Sequence, residues 1–209
     1  MKKDWIGNKK TLGVTLGSSS HTNHERISND FYATYPNTVK LLLTKLGQDG
    51  IFLNENIWEN AVGEGHIADV LKSYGYNVKN TDIIDRGYKD TYVLDFILPL
   101  YKYYPFEIED KFDILTNPPF KYATEWVYKS MQHLKDGCKL ILLLRIQFLE
   151  TTNRYKLFKQ YPPKYVYVHS SRQSCGRNGQ FTESNNAICF CWFIWEKGYK
   201  GETTLRWIE

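Results

Sequence analysis

The sequence predicts an α/β fold, a mostly parallel sheet with helices on both faces. Three observations carry this. Short apolar segments of strand length alternate with segments whose apolar residues recur at helical spacing. A glycine turn, Gly63-Glu64-Gly65, separates the first strand pattern from the helix after it. The last two strand patterns lack a helix between them, which predicts an antiparallel closing hairpin with a long loop.

In chain order, residues 1–27 are polar and turn-rich and read as an N-terminal arm, and residues 28–209 as one folded domain. Val39, Leu42, Leu43 and Leu46 mark a helix face after a cap at Asn37 or Thr38. Ile57–Ala61 reads as a strand. Ile67, Val70, Leu71 and Tyr74 then mark a helix that Gly75 closes. A second strand begins at Tyr76 and runs to Ile84, and Tyr92–Ile97 is a weaker third. Phe112–Thr116 is the strand before two prolines. Ala123, Trp126, Val127, Met131 and Leu134 form the next helix face, which stops at Gly137. Leu140–Leu144 is apolar without alternation, as in a strand buried on both faces. Lys164–Val168 and Ile188–Ile194 complete the strands.

A chain of 209 residues supplies one such domain with a full core. Its 42% hydrophobic and 24% charged residues are those of a globular protein. The 16 Tyr, 11 Phe and 6 Trp exceed ordinary usage and suit both a core and base stacking. A net charge of +4 leans mildly toward polyanions. No segment reads as a signal peptide or a membrane span; Lys139–Phe148 is short and interrupted by Arg145. Cys138, Cys175, Cys189 and Cys191 lack paired zinc spacing, and the five His are scattered, so no metal is expected. These features predict a reduced, cytoplasmic protein.

Two motifs carry chemistry. In the first, Gly63 and Gly65 let backbone approach a ligand, and Asp82, about 20 residues on, can take both ribose hydroxyls. Glu59, just before the turn, would repel a pyrophosphate but suits an ammonium and a sulfonium centre, which points to S-adenosylmethionine. In the second, Asn117-Pro118-Pro119-Phe120 ends an apolar strand. The prolines stop the strand and hold Asn117 extended. The Asn117 side-chain oxygen and the Pro118 carbonyl are two acceptors for the hydrogens of an exocyclic amine, and Phe120 is a stacking partner for its ring. A base in a duplex must be flipped out to reach such a corner.

Phe31-Tyr32-Ala33-Thr34, Glu59 to Gly65, Asp82, Asp95-Phe96 and Asn117 to Phe120 occur in an order that resembles the amino-methylating DNA methyltransferases. The likeness is greatest to the small N6-adenine enzymes of phages and prophages, and it covers residues 28 to 198. It implies a Rossmann-like class I methyltransferase fold, with a seven-stranded sheet whose last strand is antiparallel. It also implies that Phe31, Tyr32 and Thr34 border the methionine end of the cofactor. Glu59, Gly63 and Gly65 would form its turn, Asp82 would hold the ribose, and Asp95 and Phe96 would flank the adenine. Asn at position 117 resembles adenine enzymes more than N4-cytosine ones. The chain departs from many relatives in Tyr35, where they have proline, and in Asn60 and Val62.

DNA contacts are expected from Lys9, Lys10 and Arg26 in the arm and from Arg172, Arg177 and Gln180 in the polar segment before the last strand. Other readings stay open. The same corner serves a planar amine in RNA or a protein glutamine amide, and a non-catalytic binding module could keep the fold.

Overall fold

The structure, a computed structural model, describes residues 32–98, 111–171, 173 and 188–209, with 175–177 by backbone alone. Lys9, Lys10, Arg26, Phe31, Arg172 and Gln180 lie outside the described residues, as does the arm.

Strand β1 (Tyr32–Thr34) leads into helix α1 (Pro36–Gln48). Strand β2 (Asn56–Glu59), helix α2 (His66–Ser73), β3 (Asn77–Asp82) and β4 (Thr91–Val93) follow. Strand β5 (Asp113–Thr116) ends at the two prolines, and a 3-10 turn over Phe120–Tyr122 opens helix α3 (Ala123–His133). Then come β6 (Lys139–Arg145), a 3-10 turn over Ile146–Leu149, and α4 (Thr152–Gln160). Strands β7 (Tyr165–His169), β8 (Cys175–Arg177), β9 (Phe190–Glu196) and β10 (Thr204–Ile208) complete the order.

The main sheet runs β10-β7-β9-β6-β5-β2-β3-β4. Only β9 is antiparallel to its neighbours, β6 and β7; every other pairing is parallel. The seven expected strands are present with β9 as their antiparallel last member, and β10 adds an eighth at the edge. Separately, β1 pairs antiparallel with β8, Tyr32 opposite Arg177 and Thr34 opposite Cys175.

Both faces of the sheet are covered, which explains the unbroken apolar run of β6. Leu140, Leu142 and Leu144 pack with Trp58, Trp126, Val127, Phe193 and Trp195 on the face under α3 and α4. Ile141 and Leu143 pack with Val39, Leu42, Leu71, Trp192 and Ile194 on the face under α1 and α2. Helix α1 starts earlier than the sequence predicts. Pro36 occupies its first turn, where the missing N–H costs nothing, so Asn37 and Thr38 fall inside the helix. Gly75, at φ 89°, follows α2 as expected.

Strand β10 is anchored by Arg206, whose Nη1 lies 2.7 Å from Oδ2 of Asp49 at the end of α1. The Tyr167 hydroxyl donates to the same oxygen at 2.6 Å, and Lys45 Nζ is 3.0 Å from Oδ1. Burial alone would raise the Asp49 carboxyl, but these donors outweigh it and hold it down to about 2. Because the folded pKa is depressed, the stabilisation is complete above the unfolded value near 3.8 and is lost as pH falls toward 2. Asp49→Asn is therefore expected to lower the melting temperature by about 2–4 °C at neutral pH. That gap should close between pH 4 and 2, as thermal scans across the range will show.

Candidate active site

In the sheet order β5-β2-β3, the chain leaves β2 toward β3 and β4 on one side and later returns as β5 on the other. The crevice beyond the carboxyl ends of β2 and β5 is thus the switch point, where open α/β sheets bind ligands. The residues arriving there are polar and buried: Glu59, Asn60, Asp82 and Thr116, all no more than 6% exposed, with Asn117 next to them half-buried.

Glu59 is fully buried. Its Oε1 accepts a long hydrogen bond from the Ala61 N–H at 3.3 Å, and its Oε2 has no hydrogen-bond partner. Burial pushes the carboxyl up to about 8, against the opposing pull of the Thr116 hydroxyl and the Ala61 N–H, while the Asp82 charge adds to the rise. Asn60 Oδ1 accepts from the Trp126 indole at 2.9 Å, which leaves its buried Nδ2 unpartnered.

The turn after β2 is tied to β3. The Gly63 N–H donates to Asp82 Oδ2 at 2.8 Å, the Ile84 N–H to Oδ1 at 3.1 Å, and the Val62 N–H to the Thr81 carbonyl at 3.0 Å. Each carboxylate oxygen of Asp82 keeps further lone-pair capacity. Gly63 and Gly65 have φ of 57° and 86°, angles that favour glycine. At Gly65 there is a second reason: an added Cβ would fall 2.0 Å from the Tyr88 ring, which lies against the turn. Tyr88 is held there by Asp69, whose Oδ1 accepts from its hydroxyl at 2.6 Å.

At the double proline, Asn117 Nδ2 donates to the Tyr32 carbonyl at 2.9 Å and to Thr34 Oγ1 at 3.0 Å. Both amide hydrogens are thereby committed to β1, and Oδ1 is left buried without a partner. A carboxamide fixed in this way presents only an acceptor. Phe120 stacks on Tyr32, with ring centres 5.9 Å apart and planes at 26°, and packs on Phe190 at 5.8 Å. The Arg145 guanidinium lies over the Phe120 ring at 5.0 Å.

The structure thus brings Tyr32, Thr34, Glu59, Gly63, Gly65, Asp82 and Asn117 to Phe120 to one end of the sheet. Tyr32 and Thr34 do so as supports of Asn117. Asp95 is half-buried, and its Oδ1 accepts the Ile97 N–H at 2.9 Å. Phe96 differs from expectation. It is 1% exposed and turned into the core, with Trp126 at 4.7 Å and the edge of Trp58 at 5.3 Å, so it backs the Asp95 turn from beneath. Arg177 is placed by backbone register opposite Tyr32. Sequence reasoning missed Thr116 and Arg145 as neighbours of the corner; both are the last residues of strands that end beside it. Among the described residues no group of three or more His, Cys, Asp or Glu side chains comes together to hold a metal ion, and no helix is long and apolar enough to cross a membrane.

No family model matches the sequence, and no curated protein matches it. Solved structures do. A protein assigned as a class I S-adenosylmethionine-dependent methyltransferase in Listeria monocytogenes is similar with a TM-score of 0.57 and 14% identity, over 95% of this chain and 70% of that one. The methyltransferase subunit of a type I restriction-modification system from Streptococcus thermophilus gives 0.58 at 13% identity, over 93% of this chain and 51% of that one. This chain therefore spans about half of that subunit. A protein assigned as an RNA methyltransferase in Pyrococcus horikoshii gives 0.53 at 13% identity, over 91% and 99%. With β9 antiparallel between β6 and β7 and the glycine turn after β2, the chain has the Rossmann-like class I methyltransferase fold.

Proposed function

We propose that this chain transfers a methyl group from S-adenosylmethionine to the exocyclic N6 amine of adenine in DNA. The observation that carries the reading is the fixed Asn117 amide, with both hydrogens engaged and Oδ1 free. An amine conjugated to a ring is a poor nucleophile because its lone pair is delocalised. Asn117 Oδ1 and the Pro118 carbonyl each accept one amine hydrogen, favour a pyramidal nitrogen, and stabilise the positive charge that develops on it. Pro119 locks the corner, and Phe120 receives the target ring.

The residues at the strand ends suit the cofactor. Glu59 Oε2, Asn60 Nδ2 and Asn117 Oδ1 are buried without partners, the pattern of a site that a ligand completes. Glu59 would hold the cationic end together with Phe31, the turn at Gly63 and Gly65 would follow the cofactor's length, Asp82 would take the ribose, and Asp95 would take the adenine amine. When bound, S-adenosylmethionine supplies an electrophilic methyl group on a positively charged sulfur. Lys9, Lys10, Arg26, Arg172, Arg177 and Gln180 are the proposed DNA contacts. The likeness to a type I modification subunit supports a nucleic-acid substrate.

Labelled S-adenosylmethionine offered in parallel to unmethylated DNA, RNA and a protein extract tests the reading. N6-methyladenine in digested DNA is the expected product. Asn117→Ala should lower the rate by about 100- to 1,000-fold, the loss typical of one oriented donor or acceptor at a reacting group. Thr34→Val, which removes one of the two bonds aiming the amide, should cost less, with cofactor affinity retained. Label confined to RNA or protein would keep the corner and change the substrate.

Glu59 gives a pH signature. Its carboxyl titrates near 4.5 in an unfolded chain and near 8 in the fold, so between those values only the folded state holds the proton. Wild-type stability should fall as pH rises through that window, and Glu59→Gln should escape the fall, as melting curves will show. Holding a cation requires the ionised carboxylate. S-adenosylmethionine binding should then release a proton in the same window, measured by titration calorimetry in two buffers, and the variant should release none. A wild type that releases no proton would remove Glu59 from that role.

A further inference from the structure

Beside the Asn117 corner lies a cavity of about 300 Å³ whose walls include Phe120, Lys121, Arg145, Gln147, Phe148 and Arg154. It shares Phe120 with the corner, so whatever fills it is adjacent to the ring that receives the target. Its charges all have one sign, since three cations and no carboxylate line it. Among the described residues none of the three forms an ion pair.

Each arginine is placed over an aromatic ring: Arg145 over Phe120 at 5.0 Å and Arg154 over Phe148 at 5.1 Å. Stacking fixes a guanidinium in position while leaving its N–H edge to donate. Arg154 is held further by donation from Nη1 to the Gln147 carbonyl at 2.7 Å. The Arg145 Nε is buried and has no hydrogen-bond partner. A buried donor on a charged group without an acceptor is costly, and the three cations lining the cavity have no carboxylate among its walls to balance them. One anion with several oxygens relieves both. A phosphodiester fits because it presents such oxygens to planar, bidentate guanidinium donors. Alternating aromatic rings and cations are also how proteins track a polynucleotide strand.

We infer that this cavity seats the phosphodiester flanking the target adenine, with Arg145 and Arg154 as its hydrogen-bonding partners and Lys121 as an added counter-charge. The inference rests on the nucleic-acid reading above. Arg145 and Arg154 are positioning residues: by holding the backbone they bring the flipped nucleotide to Phe120 and Asn117.

The test is steady-state methylation of unmethylated DNA at salt from about 50 to 200 mM, where phosphate contacts change affinity most visibly. Wild type, Arg145→Ala, Arg145→Lys and Arg154→Ala are compared. Each alanine variant should raise the KM for DNA by about tenfold and flatten the dependence of log KM on log salt by about one. S-adenosylmethionine affinity and melting temperature should stay unchanged. Arg145→Lys should restore the salt slope, since it keeps the charge, but not the full affinity. If RNA proves to be the substrate, the same slopes measured on RNA support the inference. A KM that rises with an unaltered salt slope would mean that the arginines merely pack on the rings, and it would overturn the inference while methyl transfer to DNA stands. An unchanged KM would do the same. A wild type that labels only protein overturns the inference and the nucleic-acid reading together.

Discussion

The proposed site depends on the orientation of one side-chain amide. A carboxamide that turns over exchanges its oxygen for an NH2 group, and at position 117 that exchange would put donors where the proposed amine substrate needs acceptors. Of the two bonds to Tyr32 and Thr34, the one to the Tyr32 carbonyl opposes it, because that oxygen only accepts whereas the Thr34 hydroxyl can also donate. At about 1 kcal/mol, that bond favours the observed orientation by a population ratio of roughly 5. Both partners come from a strand far away in sequence, so the orientation depends on the docking of β1. That segment is secured in turn: β1 pairs with β8, and the Thr38 hydroxyl donates to Gln173 Oε1 at 2.9 Å. The prolines restrict the backbone of the corner, and tertiary contacts aim the side chain it carries.

This arrangement has a cost in stability. Glu59 and Asn60 would be easier to bury as apolar side chains, because each unpartnered buried polar atom opposes folding by about 1–3 kcal/mol. The large rings of Trp58, Trp192 and Trp195, all fully buried, lie on the two faces of the sheet and keep its centre rigid while its carboxyl edge stays unsatisfied. Arg145 shows the same pattern beside the corner. Its aliphatic stem leaves β6 and its charge rests on Phe120, so its buried Nε waits for an acceptor.

The features legible in the sequence were those fixed by local chemistry. Gly63, Gly65 and the prolines have few backbone choices, and the β6 run Leu140–Leu144 has only one way to hide five apolar side chains. Illegible features depended on distant partners. Strand β10 exposes Leu205 and Trp207 and turns Arg206 inward to Asp49, which inverts the usual pattern, so its apolar alternation gave no clue. Helix α4 buries only Leu157 and has little apolar stripe to read. The pairing of β1 with β8 joins two polar segments whose register no periodicity reveals. Phe96 shows the limit of reasoning by motif position: an acid and a phenyl at the right place implied a ring facing a ligand, yet Trp126 and Trp58 offered that ring a better-packed place.

Asp113 shows why the carboxyl edge, and not burial itself, marks the site. Like Glu59 it is a fully buried acid on a central strand, and burial raises its pKa as well. It sits at the opposite end of the sheet, where its Oδ1 accepts from Asn54 Nδ2 at 2.7 Å and from the Lys139 N–H at 2.6 Å, and its Oδ2 from the Asn54 N–H at 2.8 Å. Three donors engage both of its oxygens, and they clamp the loop before β2 and the start of β6. Glu59 has one long bond and a bare oxygen. Two buried carboxyl groups in one sheet thus divide by their hydrogen bonds: the satisfied one clamps the fold, and the unsatisfied one is the one proposed to meet the cofactor.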